Sequence, residues 1–261
     1  MERLGSLASW RALAEGARAA GQVVGLVPTM GALHAGHLSL FAAARERTDV
    51  VVATSFVNPR QFSDPADLAA YPRDPERDAE LAAPLVDALV EPALDEMWPE
   101  GFATTVSVAG LGDVLEGAGR PGHFDGVASV VAKLLVVTGP CVAFFGEKDY
   151  QQLVVVRRLV ADLGFDAGVV GCPTVREASG LALSSRNARL SASGRERALS
   201  LSRALAAAGE PAPASALRAT MRAVMEASGV DVAYAEVVDP VTLAPLADDA
   251  SGDARALVAG S

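Results

Sequence analysis

The sequence predicts an α/β fold: a doubly wound, mainly parallel sheet with helices on both faces, followed by a smaller C-terminal α+β domain. Two observations carry that reading. Apolar, β-branched runs of strand length alternate with helix-length patterns through the first two thirds of the chain. Such alternation implies right-handed crossovers between parallel strands. Near Cys172 and Pro173 the alternation stops. The predicted division is therefore a first domain at residues 1–173 and a second at 174–261. A chain of 261 residues is long enough for one large domain and one modest one with a substantial core.

Taken in order, residues 23–27 read as a buried strand, then a loop, then a helix through Leu38, Phe41 and Ala44. Residues 50–57 read as a second strand, with a polar, Pro-rich loop and a helix around the acidic cluster at Asp78 behind it. Residues 85–90 look like a third strand. Residues 126–137 fit a helix despite their valines, and residues 142–145 another strand. Residues 150–163 fit a helix with Leu153, Val156, Val160 and Leu163 on one face. Residues 174–177 and 181–184 flank Ser179 and Gly180 as the arms of a hairpin would. Two Ala/Leu-rich helices separated by Pro211 and Pro213 follow, and residues 232–238 read as a last strand. Open parallel sheets bind ligands beyond the carboxyl ends of their strands, so the loops after the strands are where chemistry is expected.

Composition excludes several classes. Hydrophobic residues make up 51% and charged residues 21%, which argues against disorder as the main state. The formal net charge is −10 and no basic patch is visible, so general nucleic-acid binding is not expected. Cys141 and Cys172 lie far apart without Cys or His neighbours, which suits a reducing cytoplasm better than a disulfide or zinc framework. The longest uncharged stretch, residues 19–44, is interrupted by Pro28, several glycines and two histidines, so a membrane span is not expected. The first twenty residues carry charges of both signs and no apolar core of a secretory signal.

Four constellations could carry chemistry. Pro28 to His37 runs from a strand end through a Gly-containing turn into a helix start, where backbone N–H groups favour anions. His34 and His37 share a helix face, Gly36 permits close approach, and imidazoles that protonate near neutral pH suit charge developing at phosphorus. The bland alternative is two histidines decorating a helix N-terminus. Phe145 to Gln152 is a second strand-to-helix passage; Lys148 offers a point charge, while Asp149 is equally a sound N-cap. Leu183, Ser184, Ser185, Arg186 and Asn187 read as a solvated turn or as a phosphate clamp. Phe56 to Phe62 places Gln61, both donor and acceptor, at the end of the second strand; a surface loop glutamine is the alternative.

In their order and wording, the segments VPTMGALHAGH, SFVNPRQF with YPRDP, RPGHFDGVASVVAKL, FFGEKDYQQL and VREASGLALSSRN resemble the pantothenate synthetase (pantoate–β-alanine ligase) family. The resemblance covers nearly all of residues 23–187. It implies a Rossmann-like nucleotide-binding domain, a smaller C-terminal lid domain, and a cytoplasmic homodimer. It implies an ATP site lined by Met30, Gly31, Ala32, Leu33, His34, Ala35, Gly36 and His37, with His37 as proton donor and His34 beside it on the phosphates. Gly146, Glu147, Lys148 and Asp149 would contact ATP, Lys148 steadying the charged transition state. Val175 would touch the adenine or ribose, and Leu183, Ser184, Ser185 and Arg186 would close over the phosphates. Gln61 and Gln152 would hold pantoate, Gln61 also lying near β-alanine. Arg120 and His123 would shape the pocket or the dimer-side wall.

The implied reaction has two steps: pantoate attacks the α-phosphorus of ATP, then the β-alanine amine attacks the pantoyl adenylate. Two departures stand out. The family often has adjacent acidic residues after YPR, associated with magnesium, and Arg77 replaces one of them here. Magnesium is then expected to arrive on the ATP phosphates. Family members also usually continue into one more strand beyond residues 256–261, so the lid is expected to be short. Two other readings stay open at this point. One is a nucleotidylyltransferase that stops after nucleotide transfer; the other is a nucleotide-binding dimer that has lost catalysis.

Overall fold

The computed structural model describes residues 1–209 and 211–261. The chain divides into two compact units, Met1–Gly112 with Arg120–Val175, and Asp113–Gly119 with Arg176–Ser261. Sequence patterning puts one division at 173/174 and leaves residues 113–119 in the first domain. That short segment belongs instead to the second unit.

The first unit is built on β1 (Glu2–Leu4), β2 (Val24–Thr29), β3 (Val50–Ser55), β4 (Ala88–Val90), β5 (Cys141–Gly146) and β6 (Ala167–Cys172). The strands pair in the order β1-β4-β3-β2-β5-β6, and every neighbouring pair is parallel. Its helices are α1 (Leu7–Ala19), α2 (Ala35–Arg45), α3 (Pro65–Ala70), α4 (Pro75–Ala82), α5 (Leu94–Met97), α7 (His123–Thr138) and α8 (Tyr150–Leu163), while α6 (Glu116–Gly119) lies in the second unit. The predicted α/β class is thus observed. From β2 the chain builds outward through β3 and β4, then returns to add β5 and β6 on the other side. The order reverses between β2 and β5, the point where open α/β sheets bind ligands.

Continuous apolar runs fix the strands. Val27, Val51, Ala53, Leu89 and Phe144 are wholly buried, with Phe41 and Ala44 of α2 packed against them. Each large side chain so buried contributes about 1.5–3 kcal/mol relative to exposure. Helix α7 overrides the weak helix propensity of its valines because it is buried on nearly all sides. Gly126 lets it approach the 3-10 turn Pro59–Gln61: a Cβ there would lie 2.2 Å from the Arg60 carbonyl oxygen.

Several predicted details shift. β3 ends at Ser55 rather than at residue 57, and only Ala88–Val90 of residues 85–90 is strand. Leu85 and Val86 turn back instead, both N–H groups bonding the Ala82 carbonyl. In α8 the inward face runs through Leu153, Val156 and Leu159; Val160 is only partly buried and Leu163 is 57% exposed. Val154 and Val155 are buried as well, so α8 is covered on more than one face and leaves the core before its last turn. Sequence patterning does not single out β1, α1 or β6.

The second unit holds α9 (Ala192–Ala207), α10 (Ala214–Ala227), and an antiparallel pair, β7 (Val232–Val238) with β8 (Arg255–Gly260). A two-stranded sheet is marginal alone; here Ala204, Met221, Met225, Ala235 and Val237 form a shared core with the helices. β8 comprises the residues beyond which the resemblance implied one more strand. The pieces flanking Ser179 and Gly180 meet through one antiparallel bridge, Arg176 with Ala182. Among the described residues, no helix is long and apolar enough to cross a membrane.

Candidate active site

The loops after β2 and β5 leave adjacent strands at the same end of the sheet. In the first, the chain turns through two left-handed residues, Gly31 (φ 75°) and Ala32 (φ 50°), before α2 begins. His34 is the N-cap of α2: its Nδ1 accepts the Gly36 N–H at 3.1 Å. His37, three residues on, accepts the His34 N–H on its own Nδ1 at 3.3 Å. The two rings lie 4.1 Å apart, centroid to centroid.

This arrangement sets the tautomers. A ring nitrogen that accepts a backbone N–H carries no proton, so each neutral imidazole holds its proton on Nε2. Neither Nε2 has a protein partner among the described residues, and neither is among the buried unpaired atoms. Burial lowers the pKa of His37 to about 3, helped by the neighbouring charges of His34 and Lys148 and opposed by Asp149. Burial and then the Lys148 charge lower His34 as well. The sequence suggested imidazoles that protonate near neutral pH. The structure instead holds both neutral, as hydrogen-bond donors through Nε2–H.

A second expectation changes too. The N–H groups expected to cradle an anion are largely used within the protein. Gly31 donates to Thr29 Oγ1 at 3.1 Å, Ala32 and Leu33 donate to the Asp78 carboxylate at 2.8 and 2.7 Å, and His34 and Gly36 serve the imidazoles. The donors left for an anion here are mainly side chains.

In the loop after β5, the 3-10 turn Glu147–Asp149 follows Gly146. Asp149 occupies the N-cap position of α8 but makes no side-chain cap bond. Its carboxylate pairs with the Lys148 ammonium at 3.2 Å, both groups well exposed. The electrostatic influence of Lys148 and Asp149 on both histidines shows that the two loops converge.

Gln61 is 9% exposed. Its Oε1 accepts from Asn58 Nδ2 at 2.9 Å, and its Nε2 donates to the Met30 thioether at 3.2 Å, which joins this loop to the first. Asn58 is itself fixed: its Oδ1 accepts from Trp98 Nε1 and the Arg60 N–H, and its Nδ2 also reaches the Gly126 carbonyl. Arg120 and His123 both bond the Gln61 carbonyl, at 3.3 and 2.7 Å. A carbonyl can only accept, so His123 carries its proton on Nδ1, opposite to the other two histidines. Gln152, on the first turn of α8, is half-buried and makes no hydrogen bond among the described residues; its neighbour Gln151 turns inward to the Leu111 carbonyl.

Val175 closes the first unit and is half-buried. In the second unit, Ser184 caps the 3-10 turn Ser185–Arg189 by accepting the Arg186 N–H at 3.3 Å, with Leu183 before it. Among the described residues no three His, Cys, Asp or Glu side chains gather as metal ligands. Both Asp78 oxygens are already engaged, so the residues present do not fit a protein-held magnesium ion. Sequence reasoning missed the bonding of Asn58, Trp98 and Asp78. Asn58 and Asp78 lay in segments it had singled out, the loop around Gln61 and an acidic cluster; Trp98 did not.

Known proteins share this sequence and this fold. A family model described as pantoate-beta-alanine ligase matches residues 3–261. A pantothenate synthetase of Ruegeria pomeroyi is 63% identical over 75% of this chain and 69% of its own length. That of Cereibacter sphaeroides is 53% identical over 99% and 94%. The crystal structure of pantothenate synthetase from Thermus thermophilus superposes with a TM-score of 0.93 at 48% identity, covering 100% of this chain and 95% of that one. The Francisella tularensis ligase, whose structure is described as a complex with beta-gamma ATP and beta-alanine, matches at TM-score 0.79 and 34% identity over 90% and 89%. With the paired histidines, Lys148 and Gln61 gathered at one end of such a sheet, the chain belongs to the pantoate–β-alanine ligase family.

Proposed function

We infer that the chain is an ATP-dependent ligase that condenses pantoate with β-alanine to pantothenate, releasing AMP and pyrophosphate through a pantoyl adenylate. The observation that carries the site assignment is the pair of imidazoles whose Nδ1 atoms are occupied by backbone N–H groups, leaving two Nε2–H donors beside Lys148 at the reversal of strand order. Such donors suit an anionic triphosphate without a proton having to be taken up first.

In the first step a pantoate carboxylate oxygen attacks the α-phosphorus, forming a C–O–P linkage and expelling pyrophosphate. His37 and His34 donate to the phosphate oxygens, and Lys148 exchanges its exposed partner Asp149 for the charge developing there. Gln61 and Gln152 hold pantoate. Among the described residues the Gln61 Nε2–H donates to a thioether, a weak acceptor, and a carboxylate or hydroxyl oxygen is a stronger partner for it. In the second step the β-alanine amine attacks the acyl carbon, the C–O bond breaks, AMP leaves and the amine loses a proton. Positioning and charge stabilisation suffice, with no covalent enzyme intermediate.

The ATP phosphates are also assigned to Leu183, Ser184, Ser185 and Arg186, and the adenine or ribose to Val175, on resemblance. Gly146 and Glu147 complete the ATP-contacting loop. We assign the first unit to nucleotide and pantoate binding and the second to the lid, and propose a cytoplasmic homodimer in which magnesium arrives on ATP. Pyrophosphate–ATP exchange tests the first step. Exchange that needs pantoate but not β-alanine is expected; AMP release independent of β-alanine would favour a nucleotidylyltransferase.

A further inference from the structure

The run of residues after YPR is where the family is associated with magnesium and where Arg77 already departs from that pattern; the geometry gives Asp78 another partner. Asp78, on α4, is 3% exposed. One carboxylate oxygen accepts the Ala32 N–H at 2.8 Å and the other accepts the Leu33 N–H at 2.7 Å. The two donors are successive residues, Ala32 and Leu33, and the turn that presents them has left-handed conformations at Gly31 and Ala32. Consecutive N–H groups in such a turn form a concavity for an anion, and here the protein fills it with its own carboxylate. Ala32 carries a Cβ in a conformation that favours glycine, so the turn needs an outside tie to persist. Space agrees with charge: a Cβ on Gly31 would fall 2.7 Å from Asp78 Oδ2 and 2.6 Å from Ser55 Oγ.

The turn leads directly into the histidine pair. Leu33 precedes His34, whose N–H fixes the unprotonated nitrogen of His37. We propose that Asp78 is a positioning residue for adenylation: it anchors the Gly31–Ala32–Leu33 turn and thereby sets the placement and tautomer of His34 and His37, rather than ligating magnesium. The proposal rests on the ligase reading for its kinetic consequences, but its structural half does not need that reading.

The test compares the full chain with Asp78→Asn, which keeps the shape but opposes an amide NH2 to one of the two N–H groups. Pantoate-dependent pyrophosphate–ATP exchange is measured against ATP and magnesium, and imidazole 15N shifts are recorded; three histidines make the spectrum assignable. Misplacement of reacting groups by about 1 Å can cost roughly 10²-fold. The expected result is therefore an exchange kcat lower by about 10- to 100-fold. The half-saturating magnesium concentration stays unchanged, and the His37 signals leave the Nε2–H pattern. Unchanged kcat with unchanged imidazole signals overturns the proposal. So does a higher magnesium requirement with the imidazole signals in place, which is the signature of a metal ligand. If Asp78→Asn does not fold, Asp78→Glu, which keeps the charge and displaces the oxygens by one methylene, carries the same measurements. Absence of exchange in the unsubstituted chain would sink the ligase reading instead, leaving the imidazole comparison to decide the role of Asp78.

Discussion

The loops after β2 and β5 meet at the same place but are built in opposite ways. In the first, the backbone donors of Gly31, Ala32, Leu33, His34 and Gly36 all have partners in the protein, and the imidazoles are locked by them. In the second, Lys148 is held by one exposed ion pair with Asp149, an interaction typically contributing about 0–1 kcal/mol. The difference separates two tasks. Hydrogen-bond donors that must be aimed are fixed before the nucleotide arrives, and a point charge that needs only to be near remains easy to redirect.

The comparison is broken most severely by removing its two functional ends. His37→Ala and Lys148→Ala are each expected to lower kcat by about 10²–10³ with folding intact, since each removes a donor to developing charge. Steady-state rates within a few-fold of the unsubstituted chain would contradict both roles. Packing is tested at Gly126, where the fold brings α7 onto the Gln61 turn. Gly126→Ala would set a methyl 2.2 Å from the Arg60 carbonyl. Overpacking of this kind costs about 1–3 kcal/mol, read as a lower denaturation midpoint and a raised KM for pantoate.

The locked loop also makes a pH prediction. His37 in the folded chain has its pKa lowered from 6.5 to about 3, chiefly by burial, so the unfolded chain binds the extra proton between those values. Stability contributed by neutral His37 is complete above pH 6.5 and is lost as pH falls toward 3. Denaturant unfolding should therefore show stability falling below pH 6.5, with a shallower fall in His37→Gln. The smallest effect belongs to the open loop. Asp149→Asn frees Lys148 from an exposed pair, and its effect on folding stability should stay within about 1 kcal/mol, by thermal melting. A larger loss would mean that the second loop is as constrained as the first.

Much of the fold could be read from the chain because burial writes itself into composition. The runs that became β2, β3 and β5 are apolar through most of their length, and α8 and β7 carry patterns long enough to mark both ends. β1 was not legible because three residues on a sheet edge, paired with β4 more than eighty positions away, leave no periodicity. β6 contains two glycines, one of them exposed, and only its last residue, Cys172, is buried, so it lacks the signal of its neighbours. At the site, His34, His37, Lys148 and Gln61 stood out as residue types at strand ends. What the chain could not disclose was their bonding. The Asp78 tie to Ala32 and Leu33 spans some 45 positions, and the opposed tautomers of His37 and His123 depend on which backbone group faces each ring.

The most direct measurement follows oxygen. Pantoate labelled with 18O in its carboxylate is supplied with ATP and β-alanine, and the products are examined by mass spectrometry. If the carboxylate attacks the α-phosphorus between these two loops, one labelled oxygen appears in AMP and none in pyrophosphate. Pantothenate formed without label in AMP, or label recovered in pyrophosphate, would contradict the account.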